Sequence, residues 1–437
     1  MSPSDLYAAR LTTPAEAVSP IASGDRVAMG MALAEPPALL QALAARAEAD
    51  EIDEVRLYYF HSTPHAGASV LRYELMDRIR PHCFFLGPVE RMLAERGAAE
   101  GRKTIWFVPG AFSQAPRLMS EPEPIDTFVT TVSPMDAHGF FSLGTSNDYG
   151  RSLIDSARRV VVEVNRHMPR VRGGMIHVSQ VDAIVENDLP LFESPVRART
   201  AEDDIIGRTI AGLVEDGACL QMGIGALPEA VCAALSGHRD LGVHTELFSN
   251  GLMSLMQCGA VTNARKTTNP GRSIFTFAMG DRALYDFIDD NAAVESRPVE
   301  HVNDPAVIAR NDRVVSVNAT IQMDLSGACN SEHMGGRQYS AAGGQLDFVR
   351  GAYASRGGKS IIACHSTARK GEVSRIVARL DGPVTTPRND VHIVATEYGW
   401  RDLKGLNMTE RARAMISLAH PKFRDALSAE AKAAGLI

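Results

Sequence analysis

The chain has 437 residues, 45% hydrophobic and 22% charged, a length that points to two or three domains, each able to bury a core without metal or disulfide support. Its 45 Lys and Arg stand against 52 Asp and Glu for a net charge of -7; the two signs are interspersed, which excludes a basic footprint for nucleic acid or a polybasic patch for a membrane surface. No run approaches the ~18 apolar residues of a spanning helix. Six scattered cysteines without CxxC spacing (Cys83, Cys219, Cys232, Cys258, Cys329, Cys364) fit reduced residues in apolar surroundings of a cytosolic protein. The first residues, MSPSDLYAARLTTPAEA, carry an early acid and no long apolar core, so no secretory leader is expected and the expected location is cytoplasmic.

In chain order, short apolar runs alternate with helix-patterned stretches, as in βαβ units on a mostly parallel sheet. A strand is expected over 26–30, then a helix opening at Pro36-Pro37 and running through LLQALAARAEA. Strands follow over 55–60, 104–108, 127–132 and 159–164. The stretch 186–208, rich in proline and charge, reads as a linker. A second series has a strand over 218–222, a glycine turn, the helix PEAVCAALSG and a strand over 241–245 that ends at Glu246. Further strands are expected over 274–277, 314–325, 360–364 and 391–396. The expected fold is α/β, with two open, mostly parallel-sheet domains in tandem over 1–190 and 191–437.

The turn Gly223-Ile224-Gly225-Ala226-Leu227-Pro228 stands between a strand and a helix. Its bare amides and the helix N-terminus can meet an anion. Pro228 occupies the third position of a dinucleotide fingerprint and weakens a nicotinamide reading; GxxxxGK[ST] is absent. The same turn also serves as a tight connection with no ligand at all. Glu246, in LGVHTELFSNG, ends an apolar run with no cation beside it. Most glutamates after strands are surface or capping residues, but a desolvated carboxylate facing amide donors is equipment for acyl transfer. His244 is expected on the strand's other face as a satisfied structural histidine.

A second glycine pair, Gly343-Gly344 in SAAGGQLDF, can place an amide in a cleft, or be a plain loop with helix onset at Asp347. Lys359, in RGGKSII, could meet a phosphate, and a solvated lysine is the duller alternative. His61 and His65 have the spacing of a metal pair, but Pro64 disfavours the helix that would align them, and no further ligand is paired with them, so no metal is expected. GxSxG is absent, so no serine-hydrolase elbow is available.

Taken together, SGDRVAMG at 23–30, SPMDAHGFFSLG at 133–144, VVEVNRHMPRVRG at 161–173, MGIGALPEAV at 222–231, LGVHTELFSNGL at 241–252 and GGQLDFVRGA at 343–352 resemble the acetyl-CoA hydrolase/transferase group of class I CoA-transferases. The branch of 4-hydroxybutyrate and butyrate CoA-transferases looks nearest. The likeness runs through nearly the whole chain.

This resemblance implies two similar α/β domains with the active site in the cleft between them, and homodimers or higher assemblies. It implies acyl-CoA and a short-chain carboxylic acid as substrates, with no permanently bound cofactor. It makes Glu246 the nucleophile, Gly223, Ile224, Gly225, Ala226 and Leu227 a loop that contacts coenzyme A, and Gly344, beside Gly343, an oxyanion donor. Ile321 and Lys359 fall where the family contacts the CoA body. Two departures stand out: Ala341-Ala342 replaces the usual extra glycine of the second element, and Asn250 stands where many relatives carry aspartate. CoA transfer between acids is the leading function. Acyl-CoA hydrolysis through the same glutamate and a non-catalytic ligand-binding module are the alternatives.

Overall fold

The computed structural model describes residues 1–195 and 198–437. The chain folds as two compact units, one of Met1–Ser194 with Thr276–His301, the other of Pro195–Phe275 with Val302–Ile437. The sequence put all of 191–437 in one domain; the stretch Thr276–His301 clusters instead with the first unit.

The first unit is built on a seven-stranded sheet: β1 (Arg26–Met29), β2 (Val55–Tyr59), β3 (Ile79–Cys83), β4 (Trp106–Phe107), β5 (Thr127–Val132), β6 (Arg159–Val164) and β7 (Ala183–Glu186). Their spatial order is 4-3-2-1-5-6-7, and every neighbouring pair is parallel. Parallel strands are covered on both faces and so become nearly continuous apolar runs. Accordingly, all six residues of β5 are buried. Helix α1 (Pro37–Glu48) starts at the expected proline pair and lays Leu39, Leu40 and Leu43 on a core with Val27, Met29, Val55, Leu57 and Tyr59. The sequence missed β3, IRPHC, because arginine, proline and histidine break its apolar run even though alternate residues are buried.

In the second unit, α2 (Ala201–Ala211) occupies part of the stretch expected to be linker. The Thr200 hydroxyl accepts from the Asp203 amide while Asp203 accepts from the Thr200 amide, and this reciprocal cap outweighs the local charge. Residues 196–197 of that linker lie outside the described residues. Six strands follow: β8 (Cys219–Met222), β9 (Gly242–Phe248), β10 (Val314–Ala319), β11 (Lys359–Ala363), β12 (Ile393–Thr396) and β13 (Gly399–Asp402). They lie in the order 9-8-10-11-12-13. The first five are mutually parallel and β13 returns antiparallel. Helices α3 (Ala226–Ala234) and α4 (Gln345–Ala354) belong to this unit.

Two expected strands change shape here. The strand over 241–245 continues to Phe248, so Glu246 sits within it. The run 314–325 breaks after Ala319, where the Ile321 amide turns to Asn330 O and Gln322 pairs antiparallel with Asn330. The chain has changed partners, and periodicity cannot register that. Five of the six cysteines are buried and Cys258 is exposed. Among the described residues, no helix is long and apolar enough to cross a membrane.

Candidate active site

In an open parallel sheet, ligands meet the carboxyl ends of the strands where the order reverses. In the second unit that point lies between β8 and β10, because β8 leads to β9 on one side and to β10 on the other. Gly223 follows β8 there, its amide donating to Val317 O at 2.9 Å. Gly225 has φ +114, a conformation side chains rarely adopt, and nothing lies within 4 Å of the position a Cβ would take. Helix α3 begins directly after it with no side chain capping its amides. Ile224 is 59% exposed while Leu227 is buried, so Leu227 can contribute only its backbone to a ligand.

Register carries Glu246 to the same edge. Cys219 pairs with Gly242 and Leu220 with Val243, so Glu246 comes level with Gly223. Its Oε2 accepts from Asn303 Nδ2 at 2.6 Å, and the Gly344 backbone faces the same carboxyl and holds its pKa down. Gly344 must be glycine for lack of space: a Cβ there would overlap both Oε2 of Glu246 and Nδ2 of Asn303. Its neighbour Gly343 must be glycine for another reason, its φ of +57. Burial pushes the Glu246 carboxyl up to about 7; the Asn303 and Gly344 bonds oppose that rise, and the negative charge of Asp347 adds to it. The carboxylate is thus poorly hydrated, with Oε2 fixed by Asn303 and the Gly344 backbone beside it.

The sequence candidates fall into two groups. Glu246, Gly343, Gly344 and the loop from Gly223 to Leu227 follow or border the carboxyl ends of β8 and β9. Ile321 follows β10 at the same edge, since Met222 pairs with Val317. Lys359 does not join them. It pairs with Val315 at the start of β11, and its ammonium donates to Leu213 O at 2.9 Å and Glu215 at 3.1 Å, at the opposite end of the sheet. The exposed cations Arg369 and Lys370 do follow the carboxyl end of β11.

Asn303 and Asp347 were not singled out in the sequence. Asn303 is 57 residues from Glu246, and no spacing rule joins them. His244 corrects an expectation. Its Nε2 lies 2.8 Å from Val302 O, beside the asparagine that holds Glu246. Both side chains therefore reach one segment, as residues two apart on a strand share a face.

The N-terminal domain of the acetyl-CoA hydrolase/transferase family matches residues 2–192, and its C-terminal domain matches residues 280–431. A succinyl-CoA:cyclohexane-1-carboxylate CoA transferase of Geobacter metallireducens is 42% identical over 98% of this chain and 96% of its own. A 4-hydroxybutyrate coenzyme A transferase of Clostridium kluyveri is 41% identical over 98% of both chains. Among solved structures, RipA from Yersinia pestis superposes with a TM-score of 0.98 at 59% identity over the whole of both chains. A 4-hydroxybutyrate CoA-transferase from Porphyromonas gingivalis gives 0.84 at 34% identity over 99% of both.

Proposed function

The chain belongs to the acetyl-CoA hydrolase/transferase family, as an enzyme of the CoA-transferase kind, and on that premise we propose that it moves coenzyme A from an acyl-CoA to a short-chain carboxylate through a thioester on Glu246. The acids in view are 4-hydroxybutyrate-, butyrate- or acetate-like, as the names of its relatives suggest. One observation carries the reading: Oε2 of Glu246 is held by Asn303 Nδ2 at 2.6 Å, beside the backbone of Gly344, which leaves Oε1 to react.

Ionised Oε1 attacks the acyl carbonyl and the CoA thiolate leaves, giving a mixed anhydride. The thiolate then attacks Cδ of Glu246. Electrons move onto Oε2 and collapse back, the Cδ–Oε1 bond breaks, and the first acid departs as a carboxylate carrying Oε1. The glutamyl-CoA thioester that remains is opened by an acceptor carboxylate through the same steps reversed. At each attack on Cδ the charge develops on the oxygen that already accepts from Asn303. One such donor typically lowers a barrier by about 3–4 kcal/mol.

The turn from Gly223 to Leu227 offers backbone to the CoA arm. Arg369 and Lys370, beyond the carboxyl end of β11, are better placed than Lys359 to meet its phosphates. Hydrolysis by the same glutamate differs only in letting water open the thioester, and free CoA formed without any acceptor acid would mark it.

The test is to incubate the protein with an acyl-CoA, treat it with borohydride and map the modification by mass spectrometry. Reduction at Glu246 is expected, and an unmodified Glu246 under turnover conditions overturns the reading. A panel of carboxylic acids in the same assay then ranks acceptors.

A further inference from the structure

Resting on the assignment of Glu246 as nucleophile, we infer that His244 is a positioning residue that sets both groups facing its carboxylate, Asn303 and Gly344. His244 is 1% exposed on β9, and its Nε2 stands 2.8 Å from Val302 O. A carbonyl oxygen only accepts, so Nε2 carries the proton and donates. The Val302 carbonyl shares a rigid peptide plane with the Asn303 nitrogen, so fixing that oxygen fixes where the Asn303 side chain starts. Asn303 then reaches Glu246 at 2.6 Å.

The same ring bears on the other group. Its centroid lies 6.4 Å from that of Phe348, in the first turn of α4. The Phe348 amide donates to Gly344 O at 3.1 Å, and the Gly344 backbone faces the Glu246 carboxyl. Val302 and Phe348 belong to one buried apolar cluster with Ile308 and Ala352, so the segment bearing Asn303 and the helix bearing Gly344 close on each other over this imidazole. Misplacing a reacting group by about 1 Å can cost roughly 100-fold in rate. His244 makes its bonds to protein groups at this site, so its loss acts on turnover through Asn303 and Gly344.

The experiment is a double-mutant cycle in the full-length protein. His244→Gln keeps a donor near the place of Nε2, while His244→Leu removes it. Each is made alone and with Asn303→Ala, and kcat, KM for acyl-CoA, thermal midpoint and borohydride labelling of Glu246 are recorded. His244→Leu is expected to lower kcat about 10- to 100-fold with KM within about twofold, and His244→Gln to restore most of the loss. In the Asn303→Ala background, His244→Leu should cost clearly less than it does alone. Losses that multiply independently, or an unimpaired His244→Leu, overturn the inference. Should His244→Leu not fold, His244→Asn, whose amide nitrogen falls short of Val302 O, takes its place in the cycle, and the same results support or overturn the role. Glu246→Ala separates the premises: retained transfer sinks the nucleophile itself, whereas an inactive Glu246→Ala beside an additive cycle sinks only the role of His244.

Discussion

In both units the first strand of the sheet lies between the second and a later strand, and the turn after that first strand is treated in opposite ways. In the first unit, β1 leads through Gly30 to α1, whose Ala38 and Leu39 amides donate to Glu163 Oε2 at 2.9 and 3.1 Å, while Asn187 donates to Oε1 at 2.6 Å. A carboxylate of the protein's own has filled the helix N-terminus. In the second unit, β8 leads through Gly223 and Gly225 to α3, which no side chain caps. The neighbouring strand differs too. Extending the registers places Phe60 beside Gly30 as Glu246 lies beside Gly223, and Phe60 is buried against Phe84, Phe85 and Phe112. A helix N-terminus attracts anions in either case; closed by an internal glutamate it is scaffold, and left open it is available to a substrate.

The contrast between the units is most exposed at Glu246. Glu246→Gln should lower transfer by about 10^4-fold or more with the thermal midpoint nearly unchanged, read by steady-state release of acyl product; a loss under tenfold would remove the chemical distinction between the units. Gly344→Ala comes next. Its Cβ overlaps Glu246 and Asn303, so a kcat loss of roughly 100- to 1000-fold is expected, with overpacking strain of about 1–3 kcal/mol visible on denaturation.

Asn303→Ala should cost about 10- to 100-fold in kcat, the worth of one bond to a charged group, and should also move the pH profile. Glu246 must be ionised to attack, and its carboxyl lies at about 7, so kcat/KM should rise with pH through that value. The Asn303 bond pulls the carboxyl down; without it the acid limb moves to higher pH, and a limb that stays in place contradicts the geometry.

The smallest catalytic effect belongs to the first unit. Burial raises the Glu163 carboxyl to about 7 from an ordinary value near 4.5. The folded state therefore binds the proton more tightly than the unfolded chain, and stability from this group is full below about 4.5 and lost as pH rises toward 7. Glu163→Gln should flatten the fall in stability across that window by at most about 1.4 kcal/mol per pH unit, measured by denaturant titration at several pH values, and leave kcat within about twofold. A large drop in kcat would mean that the closed turn takes part in catalysis.

The alternation of strands and helices and the glycine turn after β8 were legible in the chain alone, because apolar runs and backbone-permissive residues are local signals. β5 and β6 have the expected bounds, since fully buried parallel strands are unbroken apolar runs. Lys359 shows a readable signal overlooked: it opens its strand, whereas Gly223 follows one, so a parallel sheet must hold the two at opposite ends. What faces Glu246 emerged only from the folded arrangement. Asn303 arrives across 57 residues, Gly344 arrives on a separate helix, and Thr276–His301 returns to the first unit. Contacts between distant segments are set by packing and chain reversal, which leave no period in the sequence.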